Sequence, residues 1–395
     1  MQIHKIRTPH ICKEGQVFSW TSLIYGFGLG LMLPIFPNFI ESIINNEAYV
    51  GYFYSAMSIS MVLAGLASAY FFRKYSRIKV LFAALIATSF LTMFFVFVGN
   101  FYQLFVLDFV RVFMSLYVMM SLALMVHAFA KAKDLGKTEG FYFLFNNLGY
   151  FVGPIVGGLV AKYAGFEPVF VLSGLSFMLA LVYLLHQHLI DKHPSLALPH
   201  KAKQVGVGLD NIKLFLKSKN RIGAYFVSIA LVSWMSFKQI VIPLFVLDMG
   251  FGSDTAGLII SLSILPCLLF EFPIGKYADK SGVKLPIAFG FFIIAFFVLA
   301  VKVSPYFILD AVLLILANIG GAFIEPLHDV YFFKNVKKNE EDVLFGIFAT
   351  ADPVGRFIGP AIISTSLIFL PFEGVFVVFA GLFAVAGLFS FLIKD

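Results

Sequence analysis

The chain has 395 residues, 60% of them hydrophobic and only 13% charged, with a formal net charge of +7. Soluble domains carry about 25% charged residues, so this composition excludes a single globular core in water and points to lipid as the solvent. The 50 Phe and 32 Gly fit that reading, since Gly lets membrane helices approach closely. The two cysteines, Cys12 and Cys267, form neither a disulfide framework nor a metal-ligand spacing.

Taken in chain order, the basic, polar stretch Met1–Glu14 lacks a small-residue cleavage site before the first apolar run and reads as a cytoplasmic tail. A crossing helix needs about 20 apolar residues. Six such runs fall at Val17–Ile40, Tyr49–Phe72, Val80–Val98, Phe101–Ala130, Gly140–Ala161 and Pro168–Leu189. A polar stretch, His186–Asn220, interrupts them with Pro194, Pro199 and several lysines. Six more follow at Ile222–Leu247, Thr255–Gly275, Leu285–Val301, Tyr306–Phe333, Val343–Leu370 and Gly374–Ile393. The expectation is an all-α polytopic membrane protein with twelve transmembrane helices. It divides into an N-terminal six-helix bundle (1–190), a cytoplasmic linker (191–220) and a C-terminal six-helix bundle (221–395).

Basic residues orient the chain. With the N-terminus inside, Lys5, Arg7, Lys13, Arg73, Lys74, Arg77, Lys79, Lys131, Lys133, Lys137, Arg221, Lys276, Lys280, Lys284, Lys334, Lys337, Lys338 and Lys394 all fall on the cytoplasmic side, with the linker lysines. The outer turns carry Lys162 and Lys302. The positive charge is thus an orientation signal that needs no nucleic-acid partner, and it places both termini in the cytoplasm.

A shift of 206 residues superimposes the two halves. Gly140, Gly149, Gly153 and Pro154 land on Gly346, Gly355, Gly359 and Pro360; Pro37 and Phe39 land on Pro243 and Phe245, and Lys74 on Lys280. One offset held across separate helices implies parallel repeats related by an axis along the membrane normal.

Two motifs then carry a family resemblance. The loop Gly275-Lys-Tyr-Ala-Asp279-Lys280-Ser-Gly282-Val-Lys284 resembles the Gly-x-x-x-Asp-Arg-x-Gly-x-Arg/Lys loop of the major facilitator superfamily. The fifth span, Gly149-x-x-x-Gly153-Pro154-Ile-Val-Gly157-Gly158, is similar to a motif of that family's exporters, and Gly355, Gly359 and Pro360 repeat it. The resemblance covers essentially the whole chain. It implies that fold, with spans one, four, seven and ten lining a central cavity. In the family the loop Asp braces the eleventh helix. The loop after the second span departs from the pattern, with Arg73 where the motif has Asp and Ser76 where it has Gly. Arg73, Lys74 or Arg77 then either pairs with the acidic cluster Glu340, Glu341 and Asp342 as a cytoplasmic gate, or belongs to a solvated loop.

Ionisable residues at membrane depth are costly and are functional candidates by default. Asp108 and Arg111 share one face of span four and are either a cavity site or a self-neutralising pair. The resemblance implies that Arg111 matches a membrane Arg of the family's antiporters. Lys238, in span seven, lies at about the depth of Arg111, roughly 15 Å from the outer end, and has no carboxylate within a turn. Glu325, His328 and Asp329 form an i, i+3, i+4 set in span ten. Burial favours the neutral form of a carboxylate, so Glu325 beside His328 is a candidate proton-coupling site; otherwise it partners Arg356. Asp352 and Arg356 read as a buried pair that packs helices, Glu271 as part of the loop network and His127 as structural. Pro34, Pro37, Pro243 and Pro326 are candidate kinks, and the Gly-Pro pairs are close-packing seams.

No phosphate-binding Gly-rich loop and no catalytic triad stands in the sequence, so ATP-driven transport and enzyme activity are not expected, nor is any cofactor or metal. The expectation is a monomeric secondary transporter in the inner (plasma) membrane. Its partners are membrane lipid, protons and a small-molecule substrate, an amphipathic compound exported in exchange for protons. Against export, span one carries no acidic residue. The rivals are proton-coupled uptake of a small organic anion or nutrient drawn by Arg111 and Lys238, and a non-transporting membrane receptor or enzyme.

Overall fold

The computed structural model describes residues 13–129, 135–188, 209–337 and 340–391. Among them there are helices and no strands. The first half comprises α1 (Lys13–Met32), α2 (Phe36–Ile44), α3 (Val50–Lys74), α4 (Arg77–Met93), α5 (Phe101–Phe129), α6 (Leu135–Ala164) and α7 (Phe166–His186). The second comprises α8 (Leu209–Leu216), α9 (Lys219–Asp248), α10 (Ser253–Leu262), α11 (Leu265–Ser281), α12 (Lys284–Val303), α13 (Phe307–Lys334), α14 (Glu341–Phe348), α15 (Ala351–Phe369) and α16 (Gly374–Ser390).

Among the described residues, ten helices are long and apolar enough to cross a membrane, and Gly374–Ser390 is a shorter apolar helix. With α15 in the place of the eleventh pass, the expected twelve fit. Leu66, Phe97, Ile308 and Phe369 stand largely exposed, as side chains do when hydrocarbon surrounds the protein.

Several expected spans are broken helices. Pro34 lies in the turn at Leu33–Ile35 that separates α1 from α2, and Pro37 stands in the first turn of α2, where its missing N–H leaves no intrahelical bond unmade. Span eight breaks at Ser263–Ile264, just ahead of Pro266, and the apolar stretch beginning at Val343 breaks at Ala349–Thr350. Pro243 and Pro326, by contrast, sit inside the continuous helices α9 and α13.

Glycine sets how closely the helices approach. A Cβ at Gly149 would collide with the Leu23 carbonyl oxygen, one at Gly153 would stand 2.7 Å from the Phe27 carbonyl oxygen, and one at Gly157 would collide with the Leu31 carbonyl oxygen. These positions let α6 lie backbone to backbone on α1. In the second half α15 packs on α9 in the same way. A Cβ at Gly355 would stand 3.1 Å from the Ile229 carbonyl oxygen and one at Gly359 2.9 Å from the Ser233 Cα. Leu23 and Phe27 map onto Ile229 and Ser233 by the offset of 206, so the contacts repeat with the sequence.

The aromatic core repeats too. Phe39 packs on Phe166 and Phe170 with ring centroids 6.0 and 4.7 Å apart, and Phe245 packs on Phe372 and Phe376 at 5.9 and 5.1 Å. All three positions are related by 206 residues.

The halves meet near the end remote from the start of α1. Gly51, at the start of α3, sits against the Pro360 carbonyl, and Gly257, in α10, sits against the Pro154 carbonyl; neither leaves room for a Cβ. Gly51 and Gly257 are themselves 206 residues apart, as are the prolines they meet, so the two seats are crossed copies of one contact. Around them the Tyr52 backbone N–H, an orphan donor of the first helical turn, donates to Ser364 Oγ at 2.8 Å. Ser55 Oγ donates to the Phe357 carbonyl at 2.8 Å, and Lys162 Nζ pairs with Asp254 Oδ2 at 2.7 Å.

Replacing Gly257 by Val should therefore force the halves apart at this end. Spin labels at Tyr163 and Met249, both exposed on that face, should show a longer mean distance by double electron–electron resonance in Gly257→Val than in the parent. An unchanged distance distribution would mean that the seat does not hold the end shut.

Candidate functional site

The helices α5, α9 and α13 carry the expected cavity residues Asp108, Arg111, Lys238, Glu325 and His328. On α5, Asp108 and Arg111 are both buried. Arg111 donates from Nε to Asp108 Oδ1 at 2.7 Å, and its Nη2 lies 2.6 Å from the same oxygen. Its guanidinium stands 5.3 Å from the ring centroid of Phe36 and 5.7 Å from that of Phe95. The pair is self-neutralised, and cation–π contact closes the remaining faces of the cation. Of the two readings open in the sequence, the geometry matches the structural pair. The acid is buried and its charge already matched, so Arg111 is not an unmatched cation.

Lys238 differs. Half-buried on α9, it donates from Nζ to Asn318 Oδ1 of α13 at 2.6 Å. Its amine stands 5.6 Å from the Trp234 ring centroid. Asn318 is fully buried and anchored by its own Nδ2, which donates to the Leu314 carbonyl at 3.3 Å. Among the described residues no carboxylate forms an ion pair with Lys238.

Further along α13, Glu325 and His328 come together as expected, but through the backbone. His328 Nδ1 lies 2.7 Å from the Glu325 carbonyl oxygen, which can only accept, so Nδ1 carries a proton. His328 Nε2 lies 3.3 Å from Asp329 Oδ1. The Glu325 carboxylate accepts from Cys267 Sγ of α11 at 3.8 Å. Arg356 is not its partner: Arg356 Nε donates to Asp352 Oδ2 at 2.9 Å within α15. That pair is half-exposed, with side-chain accessibilities of 34% and 43%, so it is not the fully buried pair expected from the sequence. Tyr150 of α6 packs near the α1 seam, its ring 3.5 Å from the point a Gly26 Cβ would occupy.

The motif loops are partly visible. Gly275, Asp279 and Lys280 lie on α11, which runs to Ser281 and ends at Gly282, where φ is 85° and glycine is the residue that adopts it freely. The side chains of Asp279, Lys280, Glu341, Asp342, Glu271 and His127 lie outside the described residues. On the same face Arg77 donates to the Leu124 carbonyl at 3.5 Å, Arg73 is exposed, and Glu340 lies 3.8 Å from Arg221 Nη1.

Sequence reasoning passed over Trp234, Asn318, Cys267, Tyr150, Gly51 and Gly257. The last two were recoverable, since they obey the 206-residue offset. Asn318, a lone amide in an apolar run, also carried a signal. The neighbourhoods of Trp234 and Tyr150 depend on how helices face one another and had none.

Comparison with known proteins supports the same architecture. The family model described as Major Facilitator Superfamily matches residues 18–254 and 239–395. The chain is 25% identical over 352 residues to Multidrug resistance protein 2 of Bacillus subtilis, covering 85% of this chain and 84% of that protein. It is 22% identical over 236 residues to an uncharacterized MFS-type transporter of Methanocaldococcus jannaschii, covering 59% of this chain and 60% of the relative's length. Among solved structures, a POT family transporter in complex with a thioalcohol-conjugated peptide superposes with a TM-score of 0.77 at 12% identity, covering 96% of this chain and 95% of that one. The nucleoside transporter NupG superposes with a TM-score of 0.77 at 15% identity, over 97% of this chain and 100% of that one.

The Asp108–Arg111 geometry makes a stability prediction. Asp108→Leu strands a buried guanidinium and should destabilise the protein by about 3–5 kcal/mol, whereas Asp108→Leu/Arg111→Met should recover most of the loss. Thermal unfolding of the purified variants in detergent measures both. A mild loss in the single variant would mean that Arg111 is solvated, as a cavity residue would be.

Proposed function

The chain belongs to the major facilitator superfamily of secondary membrane transporters, and on that premise we propose that it exports a small amphipathic compound across the inner membrane in exchange for protons, by alternating access. The observation that carries this reading is the pair of crossed Gly–Pro seats that shuts one end of the molecule over a polar centre. Beyond them Lys238, Glu325, His328, Asp352 and Arg356 all remain partly exposed. With both termini in the cytoplasm, as the basic residues imply, the shut end is the outer one and the structure is the inward-facing state. Efflux is supported by the glycine seam of α6 and by the similarity to the Bacillus protein that bears a multidrug resistance name.

Alternating access then consists of rocking the two bundles so that the seats part while the cytoplasmic ends close. In this scheme Arg73, Arg77, Glu341 and Asp342 are proposed as the matching cytoplasmic gate. Glu325 is the coupling group: a half-buried carboxylate on a cavity helix, beside a thiol and one turn from His328. Movement of the halves changes its access to water and the company it keeps, so in this scheme it takes up and releases its proton on opposite sides of the membrane.

The test is paired. Proteoliposomes carrying the protein receive an imposed pH gradient, and accumulation of dansylated amphipathic probes of positive, neutral and negative charge is followed by fluorescence. Wild type should concentrate at least one probe. Glu325→Gln, which mimics the protonated acid, should lose uphill accumulation while binding the same probe with an affinity within about threefold of wild type. If Glu325→Gln still drives uphill transport, the coupling group is elsewhere. Failure of wild type to concentrate any probe would count against transport of amphipathic compounds altogether.

A further inference from the structure

A cation at membrane depth is costly unless a counter-charge meets it. Arg111 is matched by Asp108, Arg356 by Asp352, Arg221 by Glu340 and Lys162 by Asp254. Lys238 stands apart from these. It sits near the middle of the 30-residue helix α9, half-buried, with an amide oxygen for its one protein partner among the described residues.

A second observation lies beside it. Trp234, one turn away on α9, is buried to 1% exposure, and its Nε1–H has no hydrogen-bond partner. The indole is wedged between Phe237, stacked at 5.5 Å, and Phe383, edge-on at 5.7 Å, so it cannot swing away to find one. Both Trp234 Nε1 and Asn318 Oδ1 lie close to the point a Gly321 Cβ would occupy, at 3.2 and 3.8 Å. Around Gly321 the second half therefore gathers an ammonium with two donors to spare and an indole N–H with none of its capacity used. The Asn318 oxygen is already taken by Lys238. A buried N–H left unpaired is costly, and an unmatched cation at membrane depth is costlier. The cost of the cation falls away if an acceptor-only, negatively charged group enters beside it.

Resting on the transport reading above, we infer that the substrate carries an anionic group, a carboxylate or its equivalent, which docks on Lys238 beside Trp234 while its apolar body lies along the aromatic walls of the cavity. Lys238 sets specificity for charge. Asn318 is a positioning residue: it holds the ammonium on the α13 side and, as an amide, leaves the charge unneutralised. A carboxylate in the place of Asn318 would abolish the site.

The chain holds two tryptophans, so Trp20→Phe leaves Trp234 as the sole indole reporter. Quenching of its emission by energy transfer then reports occupancy beside Lys238. The probes are dansylated undecanoic acid, its uncharged primary amide, and dansylated cadaverine as a cation. In the Trp20→Phe protein the acid should bind at least about tenfold more tightly than the amide or the cation. Adding Lys238→Met should remove that preference and leave amide and cation binding within about twofold, while Lys238→Arg should keep it. Asn318→Asp should remove it as Lys238→Met does, by supplying the missing counter-charge. The arginine variant guards against a folding defect, because it must bind the acid to support the proposal.

Equal affinity for acid and amide in the parent, no quenching by any of the three, or a Lys238→Met effect that ignores probe charge would each overturn the inference. Transport separates this from the broader reading. Gradient-driven accumulation of the amide or the cation without preference for the acid leaves the exporter standing and removes the anion site. Acid binding that depends on Lys238 without accumulation of any probe does the reverse.

Discussion

Close backbone contact is the constraint from which the rest of this structure follows. In a bilayer apolar side chains gain nothing by leaving lipid for protein, so helices associate where small residues let their backbones touch. Here that contact is made by Gly149, Gly153 and Gly157 on α1 and again by Gly355 and Gly359 on α9. Once α6 is seated on α1, and α15 on α9, the faces carrying Asp108, Lys238 and Glu325 have little freedom in where they point. The aromatic clusters around Phe39 and Phe245 then fill the space behind. Polar chemistry in the centre is a consequence of apolar geometry at the seams.

The second ordering principle is charge balance at low dielectric. Each buried guanidinium is answered within reach: Arg111 by an acid on its own helix and by two aromatic faces, Arg221 by Glu340. Because these answers come from within one half, they stay intact whichever way the bundles rock. The Lys162–Asp254 pair spans the halves instead and is half-exposed, where water can take over each charge when the contact breaks. Permanent pairs are buried within halves and breakable ones lie at the rim.

Much of this was legible in the sequence, for reasons of periodicity. Runs of about 20 apolar residues encode the passes directly, and the basic loops supply the expected orientation. The offset of 206 encodes the repeat, and the repeat carries the packing partners with it: wherever Gly149 rests on Leu23, Gly355 must rest near Ile229. The i, i+3 spacing of Asp108 and Arg111 likewise pointed to a pair without any tertiary information. What could not be read is which residues face each other between helices of unknown rotation. Glu325 was as compatible with Arg356 as with Cys267, and Trp234 looked like any core aromatic. Helix breaks at Ser263–Ile264 and Ala349–Thr350 were also hidden, because hydropathy averages over them.

The crossed seats have a kinetic meaning. Gly51 against Pro360 and Gly257 against Pro154 are duplicates standing on either side of one pseudo-twofold axis. Each is at heart a contact of main chain with main chain, with the Tyr52–Ser364, Ser55–Phe357 and Lys162–Asp254 contacts set around it. Main-chain contact has little give, so parting one seat strains its duplicate across the axis. Opening is then expected to be concerted, with both seats released together.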